Sequence, residues 1–274
     1  MNPFTLFIKR YPQVVFWGIA WSASFLGFSM RSRTQSDLWF FVALYGTFLG
    51  GALITAIADG RVGLKTYFSR IVRWRVGIKW YIIALLIPLI LRLVAFGLNI
   101  ATGAEINKNP LLPGWSDAVI GYLLTFFIIG VGEEPSFRGF VLPRLLAKHS
   151  SLTASLILGV LHAIWHMPLF LSGDDAAIST TLIVIGSAVL STWLFNRTNG
   201  SVLLAMFMHT SIDLWPDVFN PFFSAAGAYS MNNWLAAAYL VSAILVIILT
   251  GKELGRKPEV AMEPKAADQP MVAD

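Results

Sequence analysis

Two adjacent carboxylates, Glu133 and Glu134, stand in the stretch IIGVGEEPSFRGFVLP, residues 128–143, and Arg138 follows four residues after Glu134. Residues four apart share a helix face, so Glu134 and Arg138 can close an ion pair. The same spacing joins His162 to His166 and His209 to Asp213. All three pairs lie in apolar surroundings, where an ionisable side chain costs at least about 2.5–3.5 kcal/mol on insertion scales. Three such pairs exceed what packing requires. A carboxylate in that setting can take a proton from water. A neutral histidine can orient the water or hold a metal. A second histidine beside a carboxylate can donate to a developing oxyanion. Brought into one cavity, these groups make a water-activating hydrolase able to cut an amide. Each pair also has a plainer reading: a salt bridge at a helix end, a packed histidine couple, an internal hydrogen bond. Arg92 reads as structural or snorkelling, His149 as a loop residue, and Asp174 and Asp175 as an exposed turn.

The elements that must position these groups are membrane helices. Of 274 residues, 56% are hydrophobic and 13% charged, about half the charge of a soluble domain. A spanning helix needs roughly 17–25 mostly apolar residues. Eight segments are expected to span, near 14–30, 38–58, 80–100, 118–131, 152–171, 177–195, 201–215 and 234–250. The fourth can continue as helix through the acid pair toward Leu146. The first reads as an uncleaved span rather than a secretory signal. With the N-terminus inside, most of the Lys and Arg fall in cytoplasmic segments, Arg138 counted among them, and Arg31, Arg33 and Lys108 fall outside. That bias favours N-in, C-in. The expected fold is therefore an all-α integral membrane protein, a bundle of about eight transmembrane helices.

The net charge of +5 sits between apolar runs rather than on one basic face, which argues against nucleic acid as a partner. The chain has no cysteine, which excludes disulfides, thiolate metal sites and cysteine nucleophiles. The basic, apolar-interleaved segment 59–79 is either an interfacial helix or a positive-inside loop. Four regions are expected: N-terminal spans with a basic cytoplasmic loop (1–117), a core carrying the polar pairs (118–215), a last span (216–250) and a disordered cytoplasmic tail (251–274).

The polar pairs resemble the motifs of the CaaX protease and bacteriocin-processing (CPBP, or Abi) family of intramembrane proteases. EEPSFRG matches that family's E-E-x-x-x-R at Glu133, Glu134 and Arg138, and HTSID matches its H-x-x-x-N/D at His209 and Asp213. The second motif, F-x-x-x-H, is less regular here. HAIWHMPLF resembles the branch with Trp-His-x-Pro and points to His166, with His162 in the Phe position. If His162 is the motif histidine, Leu158 takes that position. Pro135 is a further departure, and its missing N–H is expected to kink the helix beside the acid pair. The resemblance covers roughly 118–215.

The resemblance implies an intramembrane endopeptidase acting on a membrane-associated peptide or protein. Glu133 would be the base on the attacking water, with His166 positioning it. His209 and Asp213 would polarise the scissile carbonyl, and Glu134 would pair with Arg138. The family is often labelled metalloprotease, and His162, His166 and His209 are the candidate zinc ligands; a metal-free glutamate hydrolase is the other picture. The expected location is a bacterial inner membrane, in contact with lipid. Two other readings stay open: a degenerate immunity or scaffold protein on the same fold, and a proton-coupled transporter using the carboxylates and histidines as a relay.

Overall fold

The computed structural model describes residues 2–173 and 176–257. Every regular element in these residues is helical. A short helix, α1 (Pro3–Arg10), leads into α2 (Pro12–Thr34), which starts on a proline whose missing N–H would be unpaired there anyway. Next come α3 (Leu38–Ile71), α4 (Ile78–Ala101) and α5 (Trp115–Leu146). They are followed by α6 (Ser151–Trp165), α7 (Met167–Ser172) and α8 (Ala177–Arg197), then α9 (Val202–Phe219) and α10 (Ala225–Thr250). Serine side chains cap three of them: Ser150, Ser201 and Ser224 accept from the backbone N–H three residues on.

Among the described residues six helices, α2, α3, α4, α5, α8 and α10, are long and apolar enough to cross a bilayer, and the chain is a multi-pass membrane protein. The shorter α6 and α9 fall at the fifth and seventh expected spans. The fifth span, expected to run unbroken over 152–171, divides at His166, because Pro168 lacks the N–H that would continue α6.

Three apolar clusters build the interior among the described residues, two of them large and one a small seat for Leu254 between α8 and α10. The first joins α2, α3, the second half of α5 and α6, through residues such as Phe16, Leu44, Phe137, Phe140 and Trp165. The second joins α4, α8, α9 and α10, through Leu91, Leu194, Met208 and Tyr239. The three polar pairs lie where the two large clusters meet.

The basic loops converge on one end of the bundle. Arg73 Nη1 donates to the Asn199 carbonyl at 2.5 Å and Ser201 Oγ to that of Arg73 at 2.7 Å. Arg144 pairs with Asp59, and Arg256 Nη1 donates to the Leu146 carbonyl at 2.8 Å. By the positive-inside rule this end is read as cytoplasmic. Segment 59–79 divides between the two readings given to it. The backbone turns at Gly60 (φ 66°, a left-handed conformation that suits glycine), and residues 61–71 continue as helix with Val62 and Phe68 exposed and Tyr67 buried. Residues 72–77 form the link to α4.

Two expectations need correction. Arg138, counted as a cytoplasmic charge, is buried within α5 at 2% exposure. The tail was expected to be disordered from residue 251, yet residues 251–255 make a tight turn docked on the bundle. Leu254 is fully buried, the Lys252 carbonyl accepts from Leu152 N at 2.8 Å, and Asn196 Nδ2 donates to the carbonyls of Glu253 and Leu254. A single aliphatic side chain with a seat, plus carbonyls with donors waiting, outweighs polar composition. The rest of the expected tail (258–274) and the Asp174–Asp175 turn lie outside the described residues.

Candidate active site

α5 carries the acid pair on an irregular stretch. It follows π-helical geometry over 126–130 and again over 135–141, with one α-helical turn between them that holds Glu133 and Glu134. The N–H of Val131 reaches the carbonyl of Phe126, and that of Leu142 reaches Phe137, each five residues back. Two prolines account for part of this. Pro135 and Pro143 bring no N–H for the carbonyls four residues earlier, and for Gly139 the Arg70 guanidinium donates instead, at 3.3 Å. The expected kink at Pro135 therefore takes the form of π-turns, which concentrate at functional sites.

Small residues bring α5 close to its neighbours. A Cβ on Gly132 would stand 2.8 Å from Leu44 Cβ on α3, and one on Gly130 would stand 3.1 Å from Thr210 Oγ1 on α9. Ser136 Oγ donates to the Thr47 carbonyl at 2.8 Å. α6 is pinned at its C-terminal end: Trp165 Nε1 donates to Thr47 Oγ1 at 3.1 Å and Ser24 Oγ to the Trp165 carbonyl. These pins set the rotation of α6 and so decide which histidine faces α5.

It is His162 that does. Its Nε2 lies 3.0 Å from Glu133 Oε2, and its ring packs on Phe137 at 4.3 Å between centroids. His166, to which the Trp-His-x-Pro motif points, sits one turn on and half-buried. Its Nδ1 donates to the His162 carbonyl at 3.1 Å, and its ring is 4.8 Å from that of His162. Of the two histidines left open for the second motif, His162 is the one against Glu133, because α6 ends at Trp165 and His166 lies at the break.

Glu134 Oε1 accepts from Arg138 Nη1 at 2.7 Å and faces His209 Nδ1 at 2.7 Å. The other ring nitrogen of His209 lies 3.3 Å from Asp213 Oδ2 and 4.0 Å from Glu133 Oε2. A carboxylate oxygen at each nitrogen asks the ring to donate from both sides. The three pairs named from spacing thus form one network across α5, α6 and α9.

A cavity of about 200 Å³ opens onto this network. Glu134, Arg138, His162, His166, His209 and Asp213 line it, joined by Ser187 and Ser191 of α8 and by Arg92 and Asn232 from α4 and α10. Glu133 is not among the lining residues; its carboxylate meets His162 at 3.0 Å and lies 4.0 Å from His209, both of which line the space. Of the two readings given to Arg92, structural or snorkelling, the snorkelling one does not hold. A snorkelling arginine would send its charge to the bilayer surface, whereas this side chain is 3% exposed and turned into the cavity. The signal in the sequence was its position as the lone charge in the third span.

The donor set does not fit a metal as arranged. Among the described residues no three or more His, Asp or Glu are grouped to hold one. His209 has both nitrogens on carboxylates, His162 has Nε2 on Glu133, and His166 has Nδ1 on a backbone carbonyl.

The comparisons with known proteins bear on the same segment. Residues 115–215, which carry every polar pair, match the model of the type II CAAX prenyl endopeptidase Rce1-like family. A CAAX prenyl protease 2 from Methanococcus maripaludis is 22% identical over 231 residues, covering 78% of this chain and 83% of the relative. Over residues 115–215 the chain is similar to the CAAX-protease (CPBP) family. The recognition made from the motifs stands, and the CPBP motifs that lie apart in the sequence meet at one cavity.

Proposed function

We propose that the protein is a CAAX-protease-like intramembrane endopeptidase that hydrolyses a peptide bond of a membrane-associated peptide or protein with a water activated by Glu133 and His162. The observation that carries this reading is the Glu133–His162 contact at 3.0 Å beside a cavity of about 200 Å³ lined by the other motif residues. Glu133 takes a proton from the water as its oxygen attacks the scissile carbonyl. His209, held at Nδ1 by Glu134, donates from Nε2, which Asp213 faces at 3.3 Å, to the carbonyl oxygen as charge develops on it. The tetrahedral intermediate collapses with expulsion of the amine, which takes the proton that Glu133 received. Glu134 and Arg138 hold His209 in place through the shared Glu134 oxygen. No step is routed through a metal, since the donor arrangement does not fit one. The membrane is read as a bacterial inner membrane, with the scissile bond near the cytoplasmic leaflet, because the basic loops lie at the end of the bundle toward which the acid pair is placed on α5.

The test is cleavage of a library of membrane-tethered peptides by the purified protein in lipid, wild type beside Glu133→Gln, with and without chelator. Cleavage that disappears in the variant supports the reading, and the chelator arm reports on metal. Equal cleavage by both proteins sinks it.

A further inference from the structure

The proposed hydrolysis accounts for the side of the cavity formed by α5, α6 and α9. It leaves Arg92 of α4 and Asn232 of α10, which line the same cavity, without a task. Arg92 is 3% exposed, and the one hydrogen bond its side chain makes among the described residues runs from Nη1 to Asn232 Oδ1 at 3.1 Å. A guanidinium offers five N–H donors in a planar fork. Burying such a cation with a single neutral acceptor is costly unless further acceptors complete it. Arg138, in the same cavity, shows the usual solution, a carboxylate oxygen at 2.7 Å. Arg92 has no ion pair among the described residues, and although Asp213 lines the same cavity, that carboxylate is engaged by His209. The unused donors of Arg92 are turned into the space a ligand would fill.

We propose that Arg92, held by Asn232, is a specificity-determining residue that receives a carboxylate of the peptide substrate; this rests on the endopeptidase reading of the same cavity. The chemistry follows from the fork. Two parallel N–H donors match the two oxygens of a carboxylate, and such charge-assisted pairs gain strength where water is excluded. Arg92 and the Glu133–His162 couple lie on different helices around one small cavity. A bound carboxylate therefore fixes the register of the chain and selects which peptide bond reaches the water. A peptide can bring this group as its free C-terminus or as an Asp or Glu side chain.

The experiment measures binding and cleavage separately, on the full-length protein in lipid. One fluorescent membrane-tethered peptide is made in three forms: free C-terminal acid, C-terminal amide, and free acid with each Asp and Glu changed to Asn and Gln. Binding is measured to the Glu133→Gln protein, alone and combined with Arg92→Gln or with Arg92→Lys, each checked for its unfolding temperature. An acid form bound on the order of tenfold more tightly than the form lacking the critical carboxylate is expected. Arg92→Gln is expected to level the three forms, and Arg92→Lys to retain part of the difference. The form that loses affinity tells a terminal from a side-chain carboxylate. Equal binding of all forms, no binding of any, or a preference that survives Arg92→Gln overturns the proposal, and the first two outcomes do so without any change at Arg92. Parallel cleavage by the wild type separates the two readings. Carboxylate-dependent binding without cleavage removes the peptidase reading alone, and cleavage indifferent to the carboxylate removes the role of Arg92 alone.

Discussion

Glu133 Oε2 and His162 Nε2 lie 3.0 Å apart, both side chains nearly fully buried, across the contact between α5 and α6. The contact ties the first carboxylate of the acid pair to the histidine that the sequence pattern treated as a departure. It also leaves His166 to face the cavity from the break after α6. The consequences of this pairing, and of the network around it, are measurable.

His162→Phe restores the F-x-x-x-H pattern around His166, so the pattern alone predicts that it is tolerated. The structure predicts the reverse, because the ring that meets Glu133 is removed. Peptide cleavage by this variant should fall about 10²–10⁴-fold, the usual worth of a positioned acid–base partner. His166→Phe should stay within about tenfold of wild type by the same measure. Assays of the two variants side by side decide between the histidines, and near-normal cleavage by His162→Phe would return the role to His166.

Arg138→Ala removes the cation that shares Glu134 Oε1 with His209, in a pair whose side chains are 3% and 1% exposed. Breaking a buried pair on one side costs about 3–5 kcal/mol. A large drop in unfolding temperature in detergent is expected. A stable Arg138→Ala protein would mean that His209 alone suffices for Glu134.

Gly132→Ala adds a methyl group 2.8 Å from where Leu44 Cβ already stands. Overpacking of this kind costs about 1–3 kcal/mol. The strain falls on the turn carrying Glu133 and Glu134, so cleavage should decline along with thermal stability. Gly97→Ala serves as the control, since a Cβ there meets nothing within 4 Å. Equal behaviour of the two variants would count against close α3–α5 packing.

Asn196→Ala detaches the C-terminal turn. Asn196 Nδ2 lies 3.2 Å from Ser151 Oγ and from the Glu253 carbonyl, and 3.3 Å from the Leu254 carbonyl. The loss leaves partly buried acceptors unpaired, at about 1–3 kcal/mol. Proteolysis should then cut near residue 252 faster than in wild type, while kcat on a cleaved peptide changes little, because the turn is remote from the cavity. A protease pattern identical to wild type would show that the apolar seat of Leu254 holds the turn unaided.

The sequence by itself determined the membrane class, where the long spans run, and the three polar pairs. These depend on local rules: the length of apolar runs, the four-residue recurrence of a helix face, the sidedness of Lys and Arg. The Glu134–Arg138 and His209–Asp213 contacts were legible for that reason, since each lies within one helix. What joins one helix to another was not. Whether His162 or His166 meets Glu133 depends on how far α6 is rotated when Trp165 locks onto Thr47, and on the break that Pro168 imposes. Whether Arg92 escapes to the surface or points inward depends on Asn232, which is 140 residues away along the chain. Leu254 looked like part of a polar tail until helices α8 and α10 provided a seat for it. Tertiary structure decided these points because side-chain direction across a helix–helix contact is set by packing against distant residues, which no local pattern encodes.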